Sequence, residues 1–220
     1  MMNDLQKMGG VAALIEAATF VVGFGLVLAI VIPAGFFTGD IGPGQIVALL
    51  ADNQAITYIV YLLIYVIHGV FLVVLALALY ERLKAGSPAM VQTATAFGLI
   101  WAGLEIATGM VSNFGLDTIV DLYGKDPAQA ESVWLVFDFV QNGLGPKNLI
   151  PGSLWILLVS WAALRAGELP SALNYLGLVI GVVGILAAVP PLVMLGAFVW
   201  LGLIVWWVWV GIVILRSSLK

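Results

Sequence analysis

Six long apolar stretches, each about the length of a bilayer-crossing helix, fill most of this chain: about 11–34, 56–80, 90–112, 148–165, 171–189 and 191–215. Crossing the hydrocarbon core takes about 20 apolar residues in a helix, because lipid offers open backbone N–H and C=O groups no partner. Apolar residues make up 63% of the chain and charged ones 9%, and the mean hydropathy is +1.14. A soluble domain, with about half its residues apolar, is excluded. The sequence therefore predicts an all-α membrane protein, a six-transmembrane-helix bundle forming a single domain over 1–220. The first apolar stretch, Val11 to Phe37, is too long for a cleaved signal and contains Glu16, so it reads as an uncleaved span.

Charge orients the spans. Lys7, Arg82, Lys84, Arg165, Arg216 and Lys220 fall on one side of the six-span scheme and only Lys125 and Lys147 on the other. Basic residues are retained in the cytoplasm, so both termini are expected there, in a multi-pass protein of the plasma (bacterial inner) membrane. The acids Asp40, Asp52, Asp117, Asp121, Asp126, Glu131 and Asp138 fall outside, and Asp4, Glu81 and Glu168 inside. The outer acids either reflect easy translocation or form a vestibule that attracts cations. No basic run suits nucleic acid.

The loops carry their own signals. Leu83 to Pro88 and Leu164 to Pro170 both end a helix with a base, then glycine, then a proline opening the next helix. The two turns share either chemistry or a duplicated origin. Asp126-Pro127-Ala128-Gln129 reads as an N-cap, a proline at the first helical position and a capping-box partner. It predicts an outer amphipathic helix over 127–141, between spans 3 and 4. Val133, Trp134, Val136, Phe137 and Val140 would form its apolar face, and Glu131 and Asp138 its polar one. A shorter helix, 45–51, precedes span 2, with Asp52 and Asn53 as caps for that span.

Polar residues at bilayer depth mark the candidate site, since ionisable groups there are costly and face a partner or a cavity. Glu16 is placed in the cytoplasmic third of span 1, His68 near the midplane of span 2, and Glu105 towards the outer leaflet in span 3. Tyr58, Tyr61, Tyr65 and His68 are spaced three, four and three apart and form one stripe, while Thr108 and Ser112 share the face of Glu105. Spaced in depth, the three titratable groups could relay a proton or cation. They could equally be struts linking helices. Trp101 and Trp161 are candidates for an apolar ligand pocket. Trp206, Trp207 and Trp209, with Trp155 and Trp200, read as belt or packing residues. Gly177, Gly181 and Gly184 form a small-residue stripe for close contact within the chain, with a membrane-protein partner, or in a homo-oligomer.

Catalytic chemistry is scarce. The chain has no cysteine and one histidine, and it lacks nucleophile-elbow, zinc-protease and phosphate-loop motifs. No metal site, cofactor or catalytic residue is expected.

Asp52-Asn53-Gln54-Ala55 leading into a tyrosine-rich span, Ala76 to Met110, the Asp126-Pro127 helix and Ser160 to Gly177 together resemble an uncharacterised family of small bacterial six-helix membrane proteins, a domain of unknown function. The resemblance implies the same six-span topology in a bacterial inner membrane and supplies no activity. The leading expectation is a non-enzymatic structural or accessory protein. The alternatives are a small proton- or cation-coupled transporter using Glu105, His68 and Glu16, and a binder of a quinone, lipid or pigment between helices.

Overall fold

The computed structural model describes residues 2–35 and 41–218, so the expected outer Asp40 and inner Lys220 lie outside the described residues. Among the described residues the chain is helical with no strand. The elements are α1 (Met2–Val31), α2 (Pro43–Asp52), α3 (Gln54–Tyr61), a π-helical turn (Leu62–Ile67), α4 (His68–Leu83), α5 (Pro88–Tyr123), α6 (Pro127–Leu144), α7 (Ile150–Ala166), α8 (Ser171–Ala187), a 3-10 turn (Pro190–Leu195) and α9 (Gly196–Ser218). Four segments are long and apolar enough to cross a membrane: Asp4–Val31, Gln54–Leu83, Pro88–Tyr123 and Pro190–Ser217. The protein is membrane-embedded, and α7 and α8 are shorter apolar helices.

Six helices close into a ring. α1 packs on α4, α4 on α5, α5 on α7, α7 on α8, α8 on α9, and α9 back on α1. Outside, the ring presents Val21, Ile100, Val179 and Leu201, all exposed, the apolar jacket a bilayer requires. Inside it holds aromatic rings and the few polar groups. Glycines set the close approaches. A Cβ on Gly69 of α4 would stand 2.8 Å from the Ala102 carbonyl of α5, and one on Gly109 of α5 would stand 2.9 Å from Tyr65 Cβ. Gly177, Gly181 and Gly184 all face α7, meeting Ser160, Leu157 and Ser153. The close contact that this stripe permits is made within the chain.

The first turns of α1 and the last turns of α9 lie at one end of the ring. Gln6 Nε2 donates to the Ala78 carbonyl at 2.8 Å, and Gly10 packs against Leu215. Arg82 clamps that end: Nη1 donates to Ser217 Oγ at 2.8 Å, Nη2 to the Glu168 carbonyl at 3.2 Å, and Nε lies 3.4 Å from the Glu168 carboxylate. The two similar turns differ in backbone. Gly167 adopts φ +66° and caps α7 in the left-handed conformation. Gly86 does not take a positive φ; it fits against Ala166 instead.

Several expectations are corrected at the other end. α5 continues to Tyr123 rather than ending near 112, because Leu116 and Ile119 keep a helical apolar face that is fully buried. Asn53 Nδ2 bonds the Leu49 carbonyl at 2.9 Å, capping the end of α2 rather than the start of α3. Asp126 caps α6 by accepting from the Gln129 N–H at 3.1 Å. The reciprocal capping-box bond is precluded, since the Asp126 N–H already donates to the Leu122 carbonyl at 2.7 Å.

The faces of α6 also differ from the reading. Leu135, Val136, Phe139 and Val140 are exposed, whereas Glu131, Asp138 and Gln141 turn towards the protein with Trp134 and Phe137. The carboxylate of Glu131 sits against Gly44 in the first turn of α2, where the amide dipoles favour an anion.

The ring's dependence on glycine is testable. Gly69→Ala should lower thermal stability in detergent by about 1–3 kcal/mol, because a backbone carbonyl cannot move aside. Gly103→Ala, with nothing within 4 Å of a new Cβ, should leave stability unchanged or raise it. Equal tolerance of both changes would contradict the packing described.

Candidate functional site: an acid–histidine pair in an aromatic cage

α1, α4 and α5 bring the three intramembrane titratable residues to one level. Glu16 lies about 14 residues into α1, His68 about 15 before the end of α4, and Glu105 about 17 into α5. At about 1.5 Å rise per residue these depths nearly coincide. The expected spacing through the bilayer is therefore replaced by a cluster. The difference arises because α1 is helical from Met2, well before its apolar stretch begins at Val11.

Glu16 Oε2 and His68 Nδ1 are bonded directly, and both side chains are fully buried. α1 can approach because Ala12, Ala13 and Ala17 flank the acid and Gly23 lies against Ile64. His68 opens α4 just after the π-helical turn, and its N–H bonds the Leu63 carbonyl five residues back. Such turns are rare and frequent at functional sites. Here the turn places Tyr65 and His68 beside α5.

Aromatic rings surround the imidazole. Its centroid is 4.9 Å from Phe20, 5.3 Å from Trp101 and 5.2 Å from Trp207, all edge-on. Trp101 and Trp207 stack at 6.3 Å, and Phe20 stacks on Trp200 at 5.0 Å. Gly152 of α7 lies on the Trp101 ring, where a Cβ would come within 2.9 Å. Glu105 joins through Trp101, whose Nε1 donates to Glu105 Oε1 at 2.8 Å, one helical turn apart.

The cage is tight. The cavity bounded by Trp101, Ser153, Trp200 and Leu203 measures about 10 Å³, room for one water at most. Three polar atoms in the cluster have no hydrogen-bond partner among the described residues: Glu16 Oε1, His68 Nε2 and Glu105 Oε2. Chemically, the carboxylate on Nδ1 orients the ring and can share a proton with it. Among the described residues no three His, Asp or Glu side chains converge to hold a metal.

The remaining candidates divide. Tyr65 is buried next to Tyr61, ring centroids 5.9 Å apart, and its hydroxyl lies within electrostatic reach of Glu105. Tyr58 turns away: its hydroxyl donates to Asp117 at 3.1 Å and accepts from Gln54. Thr108 donates to its own helix at Leu104. Ser112 accepts from Gln141 Nε2 at 2.8 Å, tying α5 to α6. Trp161 does not join Trp101; it lies half-exposed on the outer surface beneath the Arg165 guanidinium.

Of the two roles read for the tryptophans, packing is the one taken by Trp206, Trp207 and Trp155, which are fully buried. Phe20 and Trp207 are the cage members that sequence reasoning missed. Phe20 stands four residues after Glu16 on the same helical face, a visible signal. The tryptophan pair gave none, since adjacent residues cannot be assigned to core or lipid before the ring is known.

Compared with known proteins, the chain matches no family model, no curated protein and no solved structure.

Replacing Glu16 by alanine would leave a buried imidazole unpaired and should destabilise the protein by about 3–5 kcal/mol. Glu16→Gln retains an acceptor for the ring and should lose about 1–2 kcal/mol. Combining Glu16→Ala with His68→Ala should reveal a coupling of at least about 1 kcal/mol in a double-mutant cycle. Additive losses would mean that the contact holds nothing together.

Proposed function

We propose that this is a six-span integral membrane protein with a non-enzymatic, accessory role, its acid–histidine pair acting as a strut that keeps the ring closed. The observation that carries this reading is the filled centre: aromatic rings pack edge-on around His68, the partner of Glu16, and the cavity beside them measures only about 10 Å³. Spans four and five correspond to α7 and α8, of 17 residues each, within the lower range for a crossing helix. Lys7, Arg82, Lys84, Arg165 and Arg216 gather at the end that holds both termini, and the positive-inside rule assigns that end to the cytoplasm of a bacterial inner membrane. α6 then lies on the outer side, and kinship with the six-helix family of unknown function belongs to the same reading.

A second reading is favoured by one specific observation. Buried Glu16 Oε1, His68 Nε2 and Glu105 Oε2 have no hydrogen-bond partners among the described residues, as proton carriers between helices would require. In proteoliposomes with an imposed pH gradient, the accessory reading expects proton flux no higher than in empty vesicles. A flux abolished by Glu105→Gln in a folded protein would establish the transporter instead.

Orientation can be checked separately in a chain without native cysteine. Lys125→Cys should react with an impermeant maleimide from outside the cell, and Lys84→Cys only after permeabilisation. Labelling at position 84 in intact cells would reverse the topology.

A further inference from the structure

A second cavity, separate from the cage, lies towards the end of the ring away from the termini. It has a volume of about 430 Å³ and is partly open, well inside the range of small-molecule sites. Its walls come from the last turns of α1, from α2, from α3 with the π-helical turn, and from α6. Most of the lining is aliphatic, with Trp134 on the α6 side. Among the described residues five polar side chains also line it: Thr57, whose hydroxyl is committed to the Asn53 carbonyl, and Tyr61, Tyr65, Asp138 and Gln141.

These groups are arranged for a ligand. Gln141 is held by its bond to Ser112, and the Tyr61 hydroxyl lies against it. Asp138 is steadied by Asn142 Nδ2 at 2.8 Å. Tyr65 is only 7% exposed, yet its hydroxyl has no hydrogen-bond partner among the described residues. Tyr65 lines the cavity, so a ligand there can supply the hydrogen bond that this hydroxyl lacks. Among the described residues the lining includes no lysine, arginine or histidine. An anionic head group would therefore meet Asp138 with no counter-charge. A neutral or cationic head would find acceptors in Asp138 and Gln141 and both a donor and an acceptor in Tyr65.

We infer that this chamber binds one membrane-dissolved amphiphile, its apolar body against α1 and α2 and its neutral or cationic hydrogen-bonding head against Tyr65 and Asp138. The site is independent of the accessory reading: α2 and α6 wall it from outside the ring, and it does not draw on Glu16 or His68.

The test uses full-length protein in nanodiscs, titrated with dodecylamine, dodecanol and dodecanoate and read by native mass spectrometry. The amine and the alcohol should each give a one-to-one adduct, and dodecanoate should bind at least about tenfold more weakly. Tyr65→Phe, which removes only the hydroxyl, should weaken both adducts about five- to tenfold. Asp138→Asn should weaken the amine more than the alcohol. Ile46→Trp, which fills the chamber from the peripheral α2, should abolish both. Absence of any one-to-one adduct, equal binding of all three probes, or unchanged affinity in Tyr65→Phe and Ile46→Trp would overturn the assignment.

Discussion

The bond between Glu16 and His68 is the constraint on which the rest of the bundle depends. A carboxyl group and an imidazole in the middle of an apolar ring are tolerable only as partners, because either alone would be a buried, unsatisfied polar group. Pairing them fixes α1 against α4 at one depth and one rotation. Small residues make that approach feasible on the α1 side. On the other side, Gly69 and Gly109 draw α5 in, bringing Trp101 to the imidazole edge and Glu105 to the indole N–H. Helix association in lipid relies on packing and hydrogen bonds rather than on water exclusion. Here both are concentrated at one level.

The two ends of the ring are built differently. At the end with the termini, Arg82 ties α4 to the α7–α8 turn and to the last turn of α9. It is a compact, polar closure. At the other end α2 and α6 lie beside the extension of α5 and form a second small core of Val47, Ile119 and Ala130. There α6 turns Asp138 and Gln141 inward and Phe139 outward, the reverse of an amphipathic helix in water. The inward polar face leaves the chamber that reaches Tyr65. One end clamps the helices together, and the other keeps space between them.

Much of this was legible from residue type and spacing. Apolar length predicts the helices, and depth singles out Glu16, His68 and Glu105 as interior groups. Asp126-Pro127 marks the start of α6. What composition does not carry is rotation and register. The common level of Glu16 and His68 depends on α1 extending back to Met2 through Asn3, Asp4 and Gln6, residues no hydropathy argument would include in a span. The outward face of α6 depends on its neighbours being helices rather than water. Position along the chain leaves Trp206 and Trp207 open between belt and packing, and the closure of α9 on α1 decides for packing. The π-helical turn at 62–67 has no sequence signature among residues as ordinary as Leu62 and Ile67.

His68 is the one histidine in the chain, so isotope-labelled histidine reports on this site alone. The decisive measurement is magic-angle-spinning NMR of the protein in lipid, with ¹⁵N-histidine and ¹³C-glutamate labels and dipolar recoupling between them. The account predicts strong coupling from Nδ1 to one glutamate carboxyl carbon, lost in Glu16→Gln without glutamine labelling and kept in Glu105→Gln. An imidazole with no carboxyl coupling, or one that exchanges freely with deuterated water, would contradict it.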